Sequence, residues 1–180
     1  ADAAAAREVT DFVVGLFRTF DPDEFRGTAP PRDISARELL DRGAQRAANQ
    51  LDAQPLQQGR ILQAIGVAYQ SLGFYDEATR HLERALSARE RLVPRDDLAI
   101  AATSLALGQV TRAKGDYVAA ARAFERARRL RLEALGPDHP DVSQVTGAIA
   151  VNEWRQGRLA QAESLLTALV ATDERTLTPD

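Results

Sequence analysis

The chain has 180 residues, 44% of them hydrophobic and mostly Ala and Leu, with 6% aromatic and 27% charged, a balance that favours helices over strands. Twenty-three basic and 26 acidic residues give a formal net charge of −3, so overall electrostatics attract neither nucleic acid nor an anionic membrane. Cysteine is absent, which excludes disulfides and thiolate metal sites and makes a reducing compartment the simpler expectation, and no apolar run approaches the ~20 residues that cross a bilayer.

From about Ala3 to Phe20, Val9, Phe12, Val13, Leu16, Phe17 and Phe20 fall on one helical stripe, so residues 1–20 are expected to form an amphipathic helix. Asp21-Pro22 ends it, and Gly27, Pro30 and Pro31 make residues 21–33 a linker. Ser35 is placed to cap the next helix, with Glu38 in the capping-box position, and that helix fills the segment 34–52. Gln54-Pro55 opens another helix, whose expected buried stripe is Ile61, Leu62, Ile65, Ala68, Tyr69 and Leu72. Gly73 closes it in left-handed geometry. The helix that follows should bury Ala78, Leu82, Ala85, Leu86 and Leu92.

From here the sequence repeats. Gly73, Gly115 and Gly157 are 42 apart, as are Tyr75, Tyr117 and Leu159, and Ala78, Ala120 and Ala162. A fixed period of this size marks a supersecondary unit that cannot bury its apolar face alone and must stack on its neighbours. The second unit carries Ile100, Leu107 and Gly108 on its first helix and Ala120, Phe124, Ala127 and Leu130 on its second. The third opens at Leu135-Gly136-Pro137-Asp138-His139-Pro140-Asp141, packs Val142, Val145, Ile149 and Ala150 inward, and closes with Leu159, Ala162, Leu166 and Leu169. Leu177-Thr178-Pro179-Asp180 repeats Leu135-Gly136-Pro137-Asp138, so residues 53–180 hold three units and the start of a further one. Subtracting 42 also aligns Ala36, Leu40 and Gly43 with Ala78, Leu82 and Ala85, which makes 34–52 a leading half-repeat. Methionine is absent even at position 1, so these residues are expected to be cut from something longer.

Small residues at Gly66, Gly108 and Ala150, the turn glycines, the aromatics Tyr75 and Tyr117 and the alanines after them together resemble the tetratricopeptide repeat. With Leu-Gly-Pro-Asp-His-Pro-Asp between units, the period is similar to the 42-residue variant of kinesin light chains and many bacterial signalling proteins. HEAT and armadillo arrays have comparable periods but lack the Gly-Asp-Tyr turn signature. The resemblance implies an all-α, right-handed solenoid of antiparallel helix pairs that binds a protein or peptide in its concave groove. Leu82, Phe124 and Leu166 would fill the space facing the three small residues. On the groove side would lie Gln63, Val67 and Gln70 of the first unit, Leu105, Gln109 and Arg112 of the second, and Val151, Trp154 and Arg155 of the third. Gln70, Arg112 and Trp154 share one register position; Trp154 either lines the groove or packs against a further repeat or the final helix.

The stretch from about Arg7 to Gly73 is similar to the segment joining kinase domain and repeats in bacterial serine/threonine protein kinases. Its marks are Glu8 to Phe17, Asp21-Pro22, Ile34 to Ala44 and Gln54-Pro55. No phosphate loop, His-Arg-Asp or Asp-Phe-Gly motif accompanies it, so this fragment is not expected to be an enzyme and needs no cofactor. The two histidines, His81 and His139, are too far apart in sequence to suggest one metal site, and His81 reads as solvent-facing. The arginines at 122, 126, 128, 129 and 131 interleave with Glu125 and Glu133 as an ion-paired surface. Expected is a monomer or weak homodimer that recruits substrates or regulators of a kinase, the alternative being self-association or autoinhibition.

Overall fold

A computed structural model describes residues 35–51 and 53–177. The amphipathic helix expected over residues 1–20 and the linker over 21–33 lie outside the described residues. Seven α-helices and no strand occur among the described residues, in two compact units that meet in sequence between Arg91 and Leu92. The first unit holds α1 (Ala36–Gln50), α2 (Pro55–Ser71) and α3 (Tyr75–Glu90). The second holds α4 (Asp97–Ala113), α5 (Tyr117–Leu135), α6 (Pro140–Arg155) and α7 (Leu159–Leu177).

Each helix pair is joined by the same turn, and glycine is there because the backbone requires it. After α2, Gly73 has φ 79°, its N–H donates to the Gln70 carbonyl at 3.0 Å, and the Phe74 N–H donates to the Tyr69 carbonyl at 2.9 Å. That pair of bonds is the Schellman closure, which satisfies two helix-terminal carbonyls at once. Gly115 (φ 85°) and Gly157 (φ 76°) repeat it, with Asp116 and Arg158 donating to the Thr111 and Glu153 carbonyls. Starts are capped individually: Ser35, Asp96 and Asp116 accept from the amides of Glu38, Ala99 and Ala119, and His139 accepts from the Asp141 amide through Nδ1 at 3.1 Å. The Glu38 carboxylate turns to Arg42, 2.8 Å away.

Within a pair, glycine also permits close approach. A Cβ on Gly66 would lie 2.7 Å from Leu82 Cγ, and one on Gly59 would lie 2.8 Å from Arg89 Cγ. A step forward along α2 from Gly59 to Gly66 thus matches a step backward along α3 from Arg89 to Leu82, so the pair is antiparallel. In the second unit a Cβ on Gly108 would sit 2.5 Å from two ring carbons of Phe124, which is fully buried. Leu82, Ala85, Ile100, Val110 and Val145 are likewise sealed from solvent.

Several expected core positions are not core. Leu72 is 47% exposed because the Schellman turn swings it outward at the end of α2, and Leu92 lies beyond α3, half-buried. Leu107 is half-buried, while Leu105 on the same helix is covered. Leu159 and Leu166 are 60% and 49% exposed, because the main packing partner of α7 is α6 and its remaining face is left open. Arg131 is not a surface charge: it is buried, and its Nη1 donates to the Asp141 carbonyl and to Gln144 Oε1, both at 2.8 Å, tying α5 to the start of α6. One period earlier, Arg89 is buried as well.

Candidate functional site

In the second unit, α6 lies against the α4–α5 pair. The Arg112 guanidinium donates to the Ala148 carbonyl at 3.1 Å and sits 5.3 Å above the Phe124 ring. Buried Asn152 donates through Nδ2 to the Tyr117 carbonyl at 3.0 Å. Burial, and then the charge of Arg155, lowers the Arg112 pKa from its ordinary value, although a guanidinium remains charged throughout the physiological range. Arg112 therefore works between helices of the unit, with only part of its surface left for a ligand.

The expected site residues separate accordingly. Gln109 and Arg112 are half-buried on α4, and Leu105 is 7% exposed, presenting little to a partner. On α6, Val151, Trp154 and Arg155 are open; Trp154 is 56% exposed, with the Arg155 guanidinium 5.1 Å over its ring. A cation held over an indole keeps two long side chains partly ordered before anything binds. In the first unit, Gln63 and Gln70 are half-buried and Val67 is 41% exposed along α2.

Sequence reasoning missed the feature beside Trp154. Val151, Trp154, Leu159, Leu166, Thr167 and Val170 line a groove of about 670 Å³ between α6 and α7, floored by Ala150 and Ala162. Its only charged lining residue is Glu163. Grouping of exposed large apolar side chains is the informative signal, since single ones occur on any surface. The turn beneath is clamped by Arg158, whose Nε and Nη2 both reach the Glu153 carboxylate; that hydrogen bond holds the Glu153 carboxyl below its ordinary pKa.

The first unit holds a second, polar hollow of about 470 Å³, lined by Asp41, Gln45, Glu77, Arg80, His81 and Arg84. His81 is not the solvated side chain expected from its charged neighbours: its ring stacks on buried Tyr69 at 5.3 Å, and Tyr69 donates its hydroxyl to Asp41 of α1. Burial, then Arg84 and Arg80, lowers the His81 pKa. Burial likewise raises that of Tyr69, with the Asp41 hydrogen bond adding to it. Of the α5 arginines, Arg128 pairs with Glu125 at 2.9 Å and Arg129 with Glu133 at 3.8 Å, as expected, whereas Arg131 is buried. No cluster of three potential metal ligands and no helix long and apolar enough to cross a membrane occurs among the described residues.

A family model described as "Tetratricopeptide repeat" matches residues 57–133 and again residues 97–175. No curated protein matches the sequence. Among solved structures, a singly substituted form of a Podosopora anserina chain with nearly identical TPR-like repeats, provisionally assigned as a kinesin light chain, is similar at 20% identity with a TM-score of 0.69, over 78% of this chain and 66% of that one. The same protein without the substitution gives 19% identity and a TM-score of 0.67, covering 79% and 67%. BtubC (BKLC) from P. vanneervenii gives 17% and 0.61, covering 76% of this chain and 55% of its own. The chain thus spans about two thirds or less of those lengths, and at these identities the likeness speaks to the fold alone.

Proposed function

This chain belongs to the tetratricopeptide repeat family, and on that premise we propose that it binds a partner protein through an extended segment laid on the surface of its first helices. In the second unit that surface is Gln109 and the open part of Arg112 on α4, with Val151, Trp154 and Arg155 on α6. On α2, Val67 and Gln70 hold the register positions of Gln109 and Arg112, and Gln63 that of Leu105. The observation that carries the reading is Trp154, exposed and overlaid by Arg155, because Trp and Arg are the residues most enriched at binding hot spots. Two guanidiniums near each other among neutral Gln side chains favour a segment that offers a carboxylate or backbone carbonyls.

In fuller form, the chain is the recruitment region of a bacterial serine/threonine kinase, acting in the cytoplasm; what supports this is the resemblance of residues 7–73 to the segment that precedes the repeats in such kinases. It contributes no catalysis of its own. Self-association or autoinhibition is the second reading, favoured by the open apolar groove between α6 and α7.

The test is selection of peptide ligands on the immobilised chain, followed by titration against Trp154→Ala and Arg155→Ala. Loss of a true hot spot weakens binding about thirtyfold, the equivalent of about 2 kcal/mol. Folded variants that bind within about twofold of the parent would remove this surface from consideration.

A further inference from the structure

The polar hollow of the first unit departs from the repeat that surrounds it. His81 lines it, stacked on Tyr69, yet one period later these two positions hold Ala123 and Thr111 in a helix pair that crosses just as closely. Packing of the repeat therefore does not call for an imidazole here. The two carboxylates of the hollow are already engaged: Asp41 of α1 accepts the Tyr69 hydroxyl, and Glu77 of α3 lies 2.6 Å from Arg37. Arg84 is left over. Its neighbours three and four residues away along α3 are His81, Ser87, Arg80 and Ala88, so the helix offers it no acid, and Arg80 adds a like charge. Among the described residues no carboxylate pairs with Arg84, and Arg80 reaches Glu77 only at 3.9 Å. His81 Nδ1 is sealed from solvent without a partner, which leaves Nε2 as the ring nitrogen able to meet a ligand.

We propose that this hollow between α1 and α3, about 470 Å³ in volume, binds a carboxylate group, held by the Arg84 guanidinium with Arg80, the Gln45 amide and His81 Nε2 as further donors. The volume is that of a small-ligand site. A planar guanidinium gives a carboxylate two parallel N–H bonds, and the other donors converge from a second helix and the next turn of the same one. Charge selects a monoanion. Arg37, Arg80 and Arg84 set against Asp41 and Glu77 leave one positive charge over, which a single carboxylate neutralises. A phosphate dianion would instead be forced against both acids. The imidazole ties the site to pH. The charged and titratable groups facing His81 are Asp41 from α1, Tyr69 from α2, and Glu77, Arg80 and Arg84 from α3. Burial, then Arg84 and Arg80, holds its pKa below 6.5; an anion between the guanidiniums offsets their share, so binding raises it. By reciprocity, affinity for the carboxylate rises as pH falls through the His81 titration. The site lies in the first unit and the surface around Trp154 in the second, so each can fail without the other.

The full chain carries two imidazoles, His81 and His139, and one indole, so their NMR resonances report the two sites separately. Propionate and acetyl-Ala-Glu-Ala-amide are titrated in at neutral pH and at about pH 6, with acetyl-Ala-Gln-Ala-amide and inorganic phosphate as comparisons. The expected result is a saturable shift of the His81 ring resonances with either carboxylate, a raised His81 pKa at saturation, and affinity several-fold tighter at the lower pH, with His139 unmoved and no response to the Gln peptide. Arg84→Gln, at an exposed position, should keep the fold and weaken binding by about tenfold or more, while Arg84→Lys, which keeps the charge but not the fork, should weaken it less. Tighter binding of the Glu peptide than of propionate supports an acidic peptide as the source of the carboxylate; equal binding supports a free acid. A His81 shift that the Gln peptide reproduces, that survives Arg84→Gln, or that phosphate produces at lower concentration than propionate overturns the proposal. So does the lack of any saturable His81 shift, and a response confined to the Trp154 indole N–H would then speak for the α6 surface alone.

Discussion

Gly108 and Gly147 are both mid-helix glycines of the second unit, yet replacing them with alanine should move stability in opposite directions. A Cβ at Gly108 would meet Cδ1 and Cε1 of Phe124 at 2.5 Å, too close for any real contact. The ring has nowhere to go, being fully buried, with the Arg112 guanidinium 5.3 Å from its centre. Overpacking of this kind costs about 1–3 kcal/mol, whereas Gly to Ala in a helix interior returns up to about 1 kcal/mol. Gly108→Ala should therefore destabilise by about 1–2 kcal/mol. At Gly147 the nearest atom to a new Cβ is Leu169 Cδ1 at 3.7 Å, an ordinary contact, so Gly147→Ala should stabilise by about 0.5–1 kcal/mol. Urea denaturation followed by circular dichroism reads both, and because the glycines share one unit their difference is insensitive to how the two units couple. Phe124→Leu combined with Gly108→Ala should recover part of the loss. If Gly108→Ala is as stable as the parent, the close crossing of α4 and α5 is wrong.

Gly115→Val should cost about 1–2 kcal/mol through backbone strain alone, since its φ is 85° and no atom lies within 4 Å of a new Cβ; an unchanged urea midpoint would contradict the left-handed turn. His81 has a folded pKa below the ordinary 6.5, so the folded state takes up a proton less readily than the unfolded chain. Its contribution is complete above pH 6.5 and is lost as pH falls through the lowered folded value, and the midpoint of His81→Phe should fall less between neutral pH and pH 5 than the parent's.

What the sequence conveyed best was whatever depends on period and local geometry. The turn glycines announce themselves by spacing, and the pairing of Gly66 with Leu82 and Gly108 with Phe124 follows from the register in which small and large residues alternate. Burial was less legible because it depends on neighbours that local pattern does not name. Leu166 carries the same apolar signal as Leu82 and Phe124, but only those two are fully covered. His81 sits among charged residues on α3, yet Tyr69 stacks on it and Asp41 of α1 fixes the Tyr69 hydroxyl. Arg131 looked like one more surface arginine; the available clue was Arg89, one period earlier, and a charge kept at equivalent positions of two helices is a sign of a shared structural task. Gln70, Arg112 and Trp154 share one register position, but register does not reveal that Arg112 already bonds the Ala148 carbonyl.

The most direct measurement of partner binding is an amide chemical-shift map of the isotope-labelled chain titrated with a selected ligand. The account predicts perturbations that concentrate in the second unit at Gln109, Val151, Trp154 and Arg155, together with the Trp154 indole N–H. Perturbations centred instead on the outer face of α5, at Arg122, Glu125 and Arg129, with the Trp154 indole unmoved, would contradict it.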